Sequence, residues 1–172
     1  MKPIPAPAES LARELTPLLD EQIALLTLRA SQLDAMAKLL VDRNDTAMER
    51  LLEQMTQSQA MQADTDRRLA HAREAAAEAL GYDVRTVRLS VLERHVGVGL
   101  AEALAFRREQ LADLAEQVRR KHMRTALLLV ECARINRMLL EGLFGRSGSC
   151  RTYDPTGTAA WDTDAGLVDA EL

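Results

Sequence analysis

The stretch that decides the fold runs from Leu100 to Phe144 and reads LAEALAFRREQLADLAEQVRRKHMRTALLLVECARINRMLLEGLF. One alternating spacing of three and four residues runs through it without a proline, which is the period of an amphipathic α-helix. At 1.5 Å per residue, about 45 residues would form a helix of roughly 65 to 70 Å. A helix of this length needs a partner for part of its face beyond what the rest of the chain can cover.

Two more amphipathic helices are predicted before this one. The first should span about residues 10–42, with either Ser10 or Thr16 as its N-cap and, in the second case, Pro17 at the first helical position. The polar segment 42–45 predicts a reversal, and Thr46 with Glu49 has the spacing of a capping box for a second helix over 46–80. Gly81 is expected to end that helix in the left-handed conformation.

The remaining segments complete an all-α prediction. A short helix is expected over about 86–96, with Ser90 and Glu93 as a second capping box, and the long helix over 99–144. We predict an elongated antiparallel bundle, in which a coiled-coil hairpin of two helices packs with a long third helix, as a single domain over 10–144. The proline-rich residues 1–9 should be a disordered leader, and residues 145–172, rich in Gly, Ser, Thr and Asp, a flexible tail.

Composition excludes several classes of function. The 172 residues carry a net charge of -4 with both signs interspersed, which argues against nucleic-acid binding. No apolar stretch approaches the roughly 20 residues that span a bilayer, and the two cysteines form neither a disulfide framework nor a zinc pattern. We therefore expect a cytoplasmic protein. His71, His95 and His122 are far apart and no nucleophile is paired with a base, so no catalytic residue, metal or cofactor is predicted.

The distal part of the long helix is the candidate site, because apolar residues occupy more than half of its circumference there. Leu128, Cys132, Ile135 and Leu139 are expected to face the bundle, with the other apolar residues partly uncovered; alternatively, the first helix covers both sides. An open apolar surface usually marks a binding site. The candidate residues are Leu127, Leu128, Val130, Cys132, Ile135, Met138, Leu139, Leu140, Leu143 and Phe144.

The tail contains a second candidate. Tyr153-Asp-Pro-Thr-Gly157 has the composition of a tight turn, since proline suits its second position and glycine follows. The turn would present an aromatic ring. Alternatively, Tyr153 and Trp161 are incidental aromatic residues of the tail.

The order of these features resembles the FlgN family of flagellar type III export chaperones. The likeness rests on the two helices joined by the Arg43-Asn44-Asp45 turn, the Gly81 terminus, the short insert, the segment from Arg134 to Leu140 in the long helix, and the ending Tyr153–Gly157. It covers roughly Leu15 to Gly157. One departure is Lys121-His-Met-Arg124, where the family pattern has an asparagine-rich N-x-x-N sequence.

The resemblance implies a cytosolic chaperone that binds the C-terminal helical segments of the hook-filament junction proteins FlgK and FlgL. Such a chaperone prevents premature assembly and delivers its clients to the export gate. Carried over by position, the client surface is Leu128 to Phe144, and Tyr153 corresponds to the tyrosine that the family uses at the gate protein FlhA. The alternative hypothesis, from a structural class, is a coiled-coil scaffold that covers the same surface by forming a homo-oligomer.

Overall fold

The computed structural model of the chain describes residues 6–144, 150–153 and 159–162. Four α-helices follow one another: α1 (Ala6–Asp42), α2 (Asp45–Leu80), α3 (Leu89–Leu92) and α4 (Val98–Phe144), with a 3-10 turn over Glu93–His95 between α3 and α4. The predicted all-α helical bundle is confirmed. The chain divides into two units, Met1–Leu128 and Leu129–Leu172, each of which is described by itself.

Helix α1 begins before the predicted start at residue 10. Pro7 lies in its first turn, where a missing N–H has no intrahelical acceptor to lose. Ser10 and Thr16 are not N-caps: the Ser10 hydroxyl lies 3.3 Å from Glu14 Oε1, and the Thr16 hydroxyl donates to the Ala12 carbonyl at 2.8 Å. The helix continues through Pro17. The apolar face on either side of Pro17 is buried, and we infer that its burial outweighs the one hydrogen bond that a proline removes.

The turn between α1 and α2 reverses the chain as predicted, but its cap is a different residue. Asn44 is the N-cap, and its side-chain oxygen accepts from the Ala47 amide at 3.1 Å, so the predicted capping box of Thr46 and Glu49 is wrong. Arg43 adopts a positive φ of 51°, which turns the chain so that Asn44 can cap the helix. At the far end, Gly81 has the predicted left-handed conformation with a φ of 69°.

The short helix α3 is also capped differently from the prediction. Its N-cap is Arg88 in an extended conformation without a side-chain hydrogen bond, so the capping box of Ser90 and Glu93 is wrong. Glu93 instead accepts from Arg108 Nε on α4 at 2.8 Å. The predicted helix over 86–96 is therefore one α-helical turn followed by a 3-10 turn.

Helices α1 and α2 form an antiparallel pair with polar contacts in its middle. Glu21 on α1 accepts from the fully buried Thr65 hydroxyl at 2.9 Å and from Arg68 at 2.8 Å, and Gln62 donates to Gln22 at 2.9 Å. Met36 and Leu51 pack together nearer the turn. The polar contacts fix the register of the hairpin, because buried polar groups need specific partners.

The main core of the first unit lies where α1, α3 and the start of α4 meet. Leu92 and Leu104 are the largest apolar side chains that are fully enclosed, at 1% and 0% exposure. Leu69, Leu100 and Leu111 pack around this core. Its buried members are Ala8, Ala12, Leu15, Leu19, Leu92, Val96 and Leu104.

Ion pairs fix the register of α4 on α1. Arg107 binds both carboxylate oxygens of Asp20, at 2.7 and 2.9 Å, and Lys121 binds Asp34 at 2.6 Å. The Arg107 hydrogen bond holds the pKa of the Asp20 carboxyl below its usual range. Both pairs join residues 87 apart, so α1 and α4 run in the same direction. In this register Val41, the last residue but one of α1, is level with residue 128, where the first unit ends.

The second unit contains the last turns of α4 and a pair of short strands. β1 (Cys150–Tyr153) pairs antiparallel with β2 (Ala159–Asp162), with Tyr153 opposite Ala159 and Cys150 opposite Asp162. The strands were not predicted, because neither four-residue segment shows an alternating apolar pattern long enough to identify. The other residues of the predicted tail, and residues 1–5 of the predicted leader, lie outside the described residues.

Candidate functional site

The apolar residues at the end of α4 are open to solvent. Of the ten candidate residues, seven are exposed, and Leu143 at 77%, Leu127 at 64% and Val130 at 63% are the most exposed. Leu129, which the sequence analysis did not select, is exposed at 45%. We call the exposed set the α4 patch: Leu127, Leu129, Val130, Ile135, Met138, Leu139, Leu140 and Leu143.

The other three candidates are Leu128, Cys132 and Phe144, and two of the seven exposed candidates differ from what was expected of them. Leu128 and Cys132 are half-buried. Ile135 and Leu139 were expected to face the bundle, and this was wrong, because they are exposed at 42% and 51%. The side chain of Phe144 lies outside the described residues.

Helical geometry brings the members of the α4 patch together. The spacing of four residues places the patch members Ile135, Leu139 and Leu143 along one side of the helix, next to the half-buried Leu128 and Cys132. Leu140 and Val130 extend the apolar surface around the circumference. Apolar side chains therefore lie on most sides of about four turns of α4, because sixteen residues at 3.6 per turn separate Leu127 from Leu143, and charged side chains lie between some of them.

Charged side chains flank the α4 patch and pair along the helix. Arg134 Nε donates to Glu131 Oε2 at 2.9 Å, and its Nη1 lies 3.7 Å from the sulfur of Met138. Both partners of the ion pair are more than half exposed, so the pair contributes little to stability. The ion pair lies beside Met138 of the α4 patch, so a partner that covers Met138 would also contact these two charged side chains.

A separate apolar cavity of about 200 Å³ lies in the first unit, between α1, α2 and α3. Among the residues that the structure describes, Arg73 and Arg88 are the charged ones that line it. Sequence reasoning missed this cavity, because its walls come from residues far apart in the chain. The lining residues are Leu15, Leu19, Leu69, Arg73, Ala76, Val87, Arg88, Leu89 and Leu92.

The three histidines are separate from one another, as the sequence suggested. His71 lies 3.6 Å from Glu74, the ring nitrogen Nδ1 of His95 lies 2.8 Å from the Val91 carbonyl oxygen, and His122 is exposed. Within the described residues, no group of three or more His, Cys, Asp or Glu side chains could hold a metal ion. None of the described helices has an apolar stretch of the length that a membrane crossing requires.

The second sequence candidate, Tyr153, is the last residue of β1. Its side chain and the rest of the predicted turn Tyr153–Gly157 lie outside the described residues.

The chain was also compared with known proteins. It matches no protein-family model, no characterised protein and no solved structure.

Proposed function

We propose that this chain is a cytoplasmic flagellar export chaperone that binds the C-terminal helical segments of the hook-filament junction proteins FlgK and FlgL. The observation that carries the proposal is the α4 patch, a long apolar surface left open on a helix. Its position along the chain coincides with the client surface that the FlgN resemblance implies. Large exposed apolar patches are rare on proteins that have no partner.

The α4 patch has the geometry to receive an amphipathic helix. The apolar side of a partner helix would pack against the side of α4 that contains Ile135 and Leu139. Its polar residues would contact the ion pair of Glu131 and Arg134. Fully burying one leucine or isoleucine side chain contributes about 1.5 to 3 kcal/mol. Association costs about 4 to 15 kcal/mol in lost translational and rotational freedom, and side-chain ordering adds to this cost, so the apolar residues that one partner helix covers leave a moderate net affinity.

A moderate affinity suits an export chaperone, which must both hold its client and release it. Micromolar to tens-of-nanomolar dissociation constants correspond to about 8 to 10 kcal/mol, which holds a client in the cytoplasm and still allows its release at the gate. An unassembled junction protein exposes helices that coil with neighbouring subunits in the filament. Covering those helices prevents premature assembly without any covalent chemistry. By the same resemblance, Tyr153 would contact the export gate protein FlhA.

A titration of the C-terminal helical segment of FlgK into the full chain tests the proposal. We expect one segment to bind per chain with a dissociation constant between about 10 nM and 1 μM, as measured by calorimetry. Light scattering of the free chain should show the mass of a monomer. A dimer or tetramer that persists at nanomolar concentration and ignores both the FlgK and the FlgL segments would instead favour the coiled-coil scaffold.

A further inference from the structure

The apolar cavity of the first unit is formed by three layers of the chain. α1 contributes Leu15 and Leu19 as its floor, and these are 6% and 3% exposed. α2 contributes Leu69, Arg73 and the small, buried Ala76. The connection after α2 and the single turn of α3 form the last wall, with Val87, Arg88, Leu89 and Leu92.

Hydrogen bonds hold the third wall in place. The Asp83 carboxylate accepts from the Arg85 amide at 2.7 Å, and the Asp83 carbonyl accepts from the Thr86 hydroxyl at 2.8 Å. This closed turn carries Val87 into the protein, where it is 6% exposed. The cavity is therefore largely pre-formed, as small-molecule sites usually are.

Two arginine residues, Arg73 and Arg88, line this cavity, and among the described residues no Asp or Glu lines it; both arginines are exposed to solvent, and the cavity surface itself is almost wholly apolar. Arg73 Nη2 donates to the Arg85 carbonyl at 3.3 Å, and neither Arg73 nor Arg88 has a carboxylate within 4.0 Å in the described part of the chain. Each of the two arginines therefore has N–H groups that can donate to a ligand. Arginine prefers carboxylates among the common anions of a single charge, because its planar group can donate two parallel hydrogen bonds.

The lining selects a ligand with two parts. An apolar cavity of 150 Å³ can hold a benzene-sized molecule, so about 200 Å³ accepts a chain of several methylene groups. A small polar anion would make no contact with most of the seven apolar lining residues. A purely apolar ligand would accept no hydrogen bond from the two arginines. A cationic amphiphile would place like charges together.

We propose that this cavity binds a monoanionic amphiphile, namely a medium-chain carboxylate, with its tail between α1, α2 and α3 and its headgroup at Arg73 and Arg88. The site uses no residue of the α4 patch. It is therefore independent of the proposed chaperone function, and either proposal can fail without the other.

Three ligands with the same tail test the proposal on the unmodified full chain. Octanoate, 1-octanol and octylammonium differ only in headgroup, and calorimetry or NMR titration measures each dissociation constant. We expect octanoate to saturate one site per chain in the submillimolar range and to bind at least about tenfold more tightly than octylammonium. Hexanoate should bind about 16-fold more weakly than octanoate, because it lacks two methylene groups and each buried methylene is worth roughly fourfold in affinity.

Variants at the cavity mouth provide the second arm. The double variant Arg73→Gln with Arg88→Gln should weaken octanoate binding at least about tenfold and leave 1-octanol binding within twofold. The matched control is Arg67→Gln with Arg94→Gln, which removes the same charge from two exposed residues that do not line the cavity. The control should bind octanoate as the unmodified chain does. Should the double variant fail to fold, the headgroup series on the unmodified chain decides the question.

Several outcomes would overturn the proposal. They are the absence of saturable octanoate binding up to about 10 mM, equal affinity for octanoate and octylammonium, and undiminished octanoate binding in a folded double variant. Dissociation of a dimer by octanoate would assign the cavity to a second copy of the chain. Tighter binding of an acetylated Leu-Asp dipeptide than of octanoate would assign it to a protein partner.

Discussion

Replacing Leu104 with alanine should lower the free energy of unfolding by about 3 kcal/mol, within the 2 to 5 kcal/mol that such core truncations cost. Leu104 is 0% exposed and packs in the main core with Leu92 and residues of α1. The substitution removes buried methyl groups and leaves a cavity that rigid neighbouring helices fill only in part. Urea unfolding followed by circular dichroism measures the change, with the slope of the transition unchanged.

The matched control lies two residues further along the same helix. Phe106 is 62% exposed, and Phe106→Ala should change the free energy of unfolding by less than about 1 kcal/mol although it deletes a larger side chain. The comparison separates burial from residue size. Equal losses in the two variants would contradict the assignment of Leu104 to the core.

Introducing glutamate at both Ile135 and Leu139 should weaken binding of the FlgK segment at least about 100-fold. The two side chains lie on one side of α4, and a partner helix that covers them would have to bury two carboxylates without a counter-charge. Because both positions are exposed in the free protein and glutamate is a good helix former, the free energy of unfolding should change by less than about 0.5 kcal/mol. Calorimetry measures the affinity and urea unfolding the stability.

A charge-matched control uses exposed apolar residues outside the α4 patch. Met61→Glu with Phe106→Glu changes two side chains that are 56% and 62% exposed. This control should bind the FlgK segment within about twofold of the unmodified chain. Comparable loss of binding in both double variants would indicate a general effect of added negative charge. If only the Ile135 and Leu139 variant lost stability, these two side chains would stabilise the folded chain, which would contradict their assignment to a binding surface.

The sequence contained enough information to predict the helices and the reversal between α1 and α2, because the apolar period and the turn residues are local signals. Gly81 was predictable because glycine tolerates the left-handed conformation. The caps were not predictable in the same way. Asn44 and Thr46 are both acceptable cap residues, and the positive φ of Arg43 decides between them. Sequence patterns do not encode that backbone angle.

Which residues of α4 are exposed depends on the offset between α4 and α1, and a periodic pattern of apolar residues does not determine that offset. Ile135 and Leu139 continue the stripe that packs on α1 earlier in the helix, so the pattern alone predicts that they are covered. The ion pairs Asp20–Arg107 and Asp34–Lys121 set the offset that leaves α1 ending level with the end of the first unit. Arg73 and Arg88 were missed for a related reason, because a cavity exists only after three elements have packed.

Hydrogen–deuterium exchange of the full chain, with and without a saturating FlgK segment, is the most direct test of the claim that the open end of α4 receives a client helix. We predict slower exchange of backbone amides in peptides covering residues 127–143, and unchanged exchange in those covering residues 15–36. Protection confined to residues 15–36, or no protection anywhere on a saturated chain, would contradict the account.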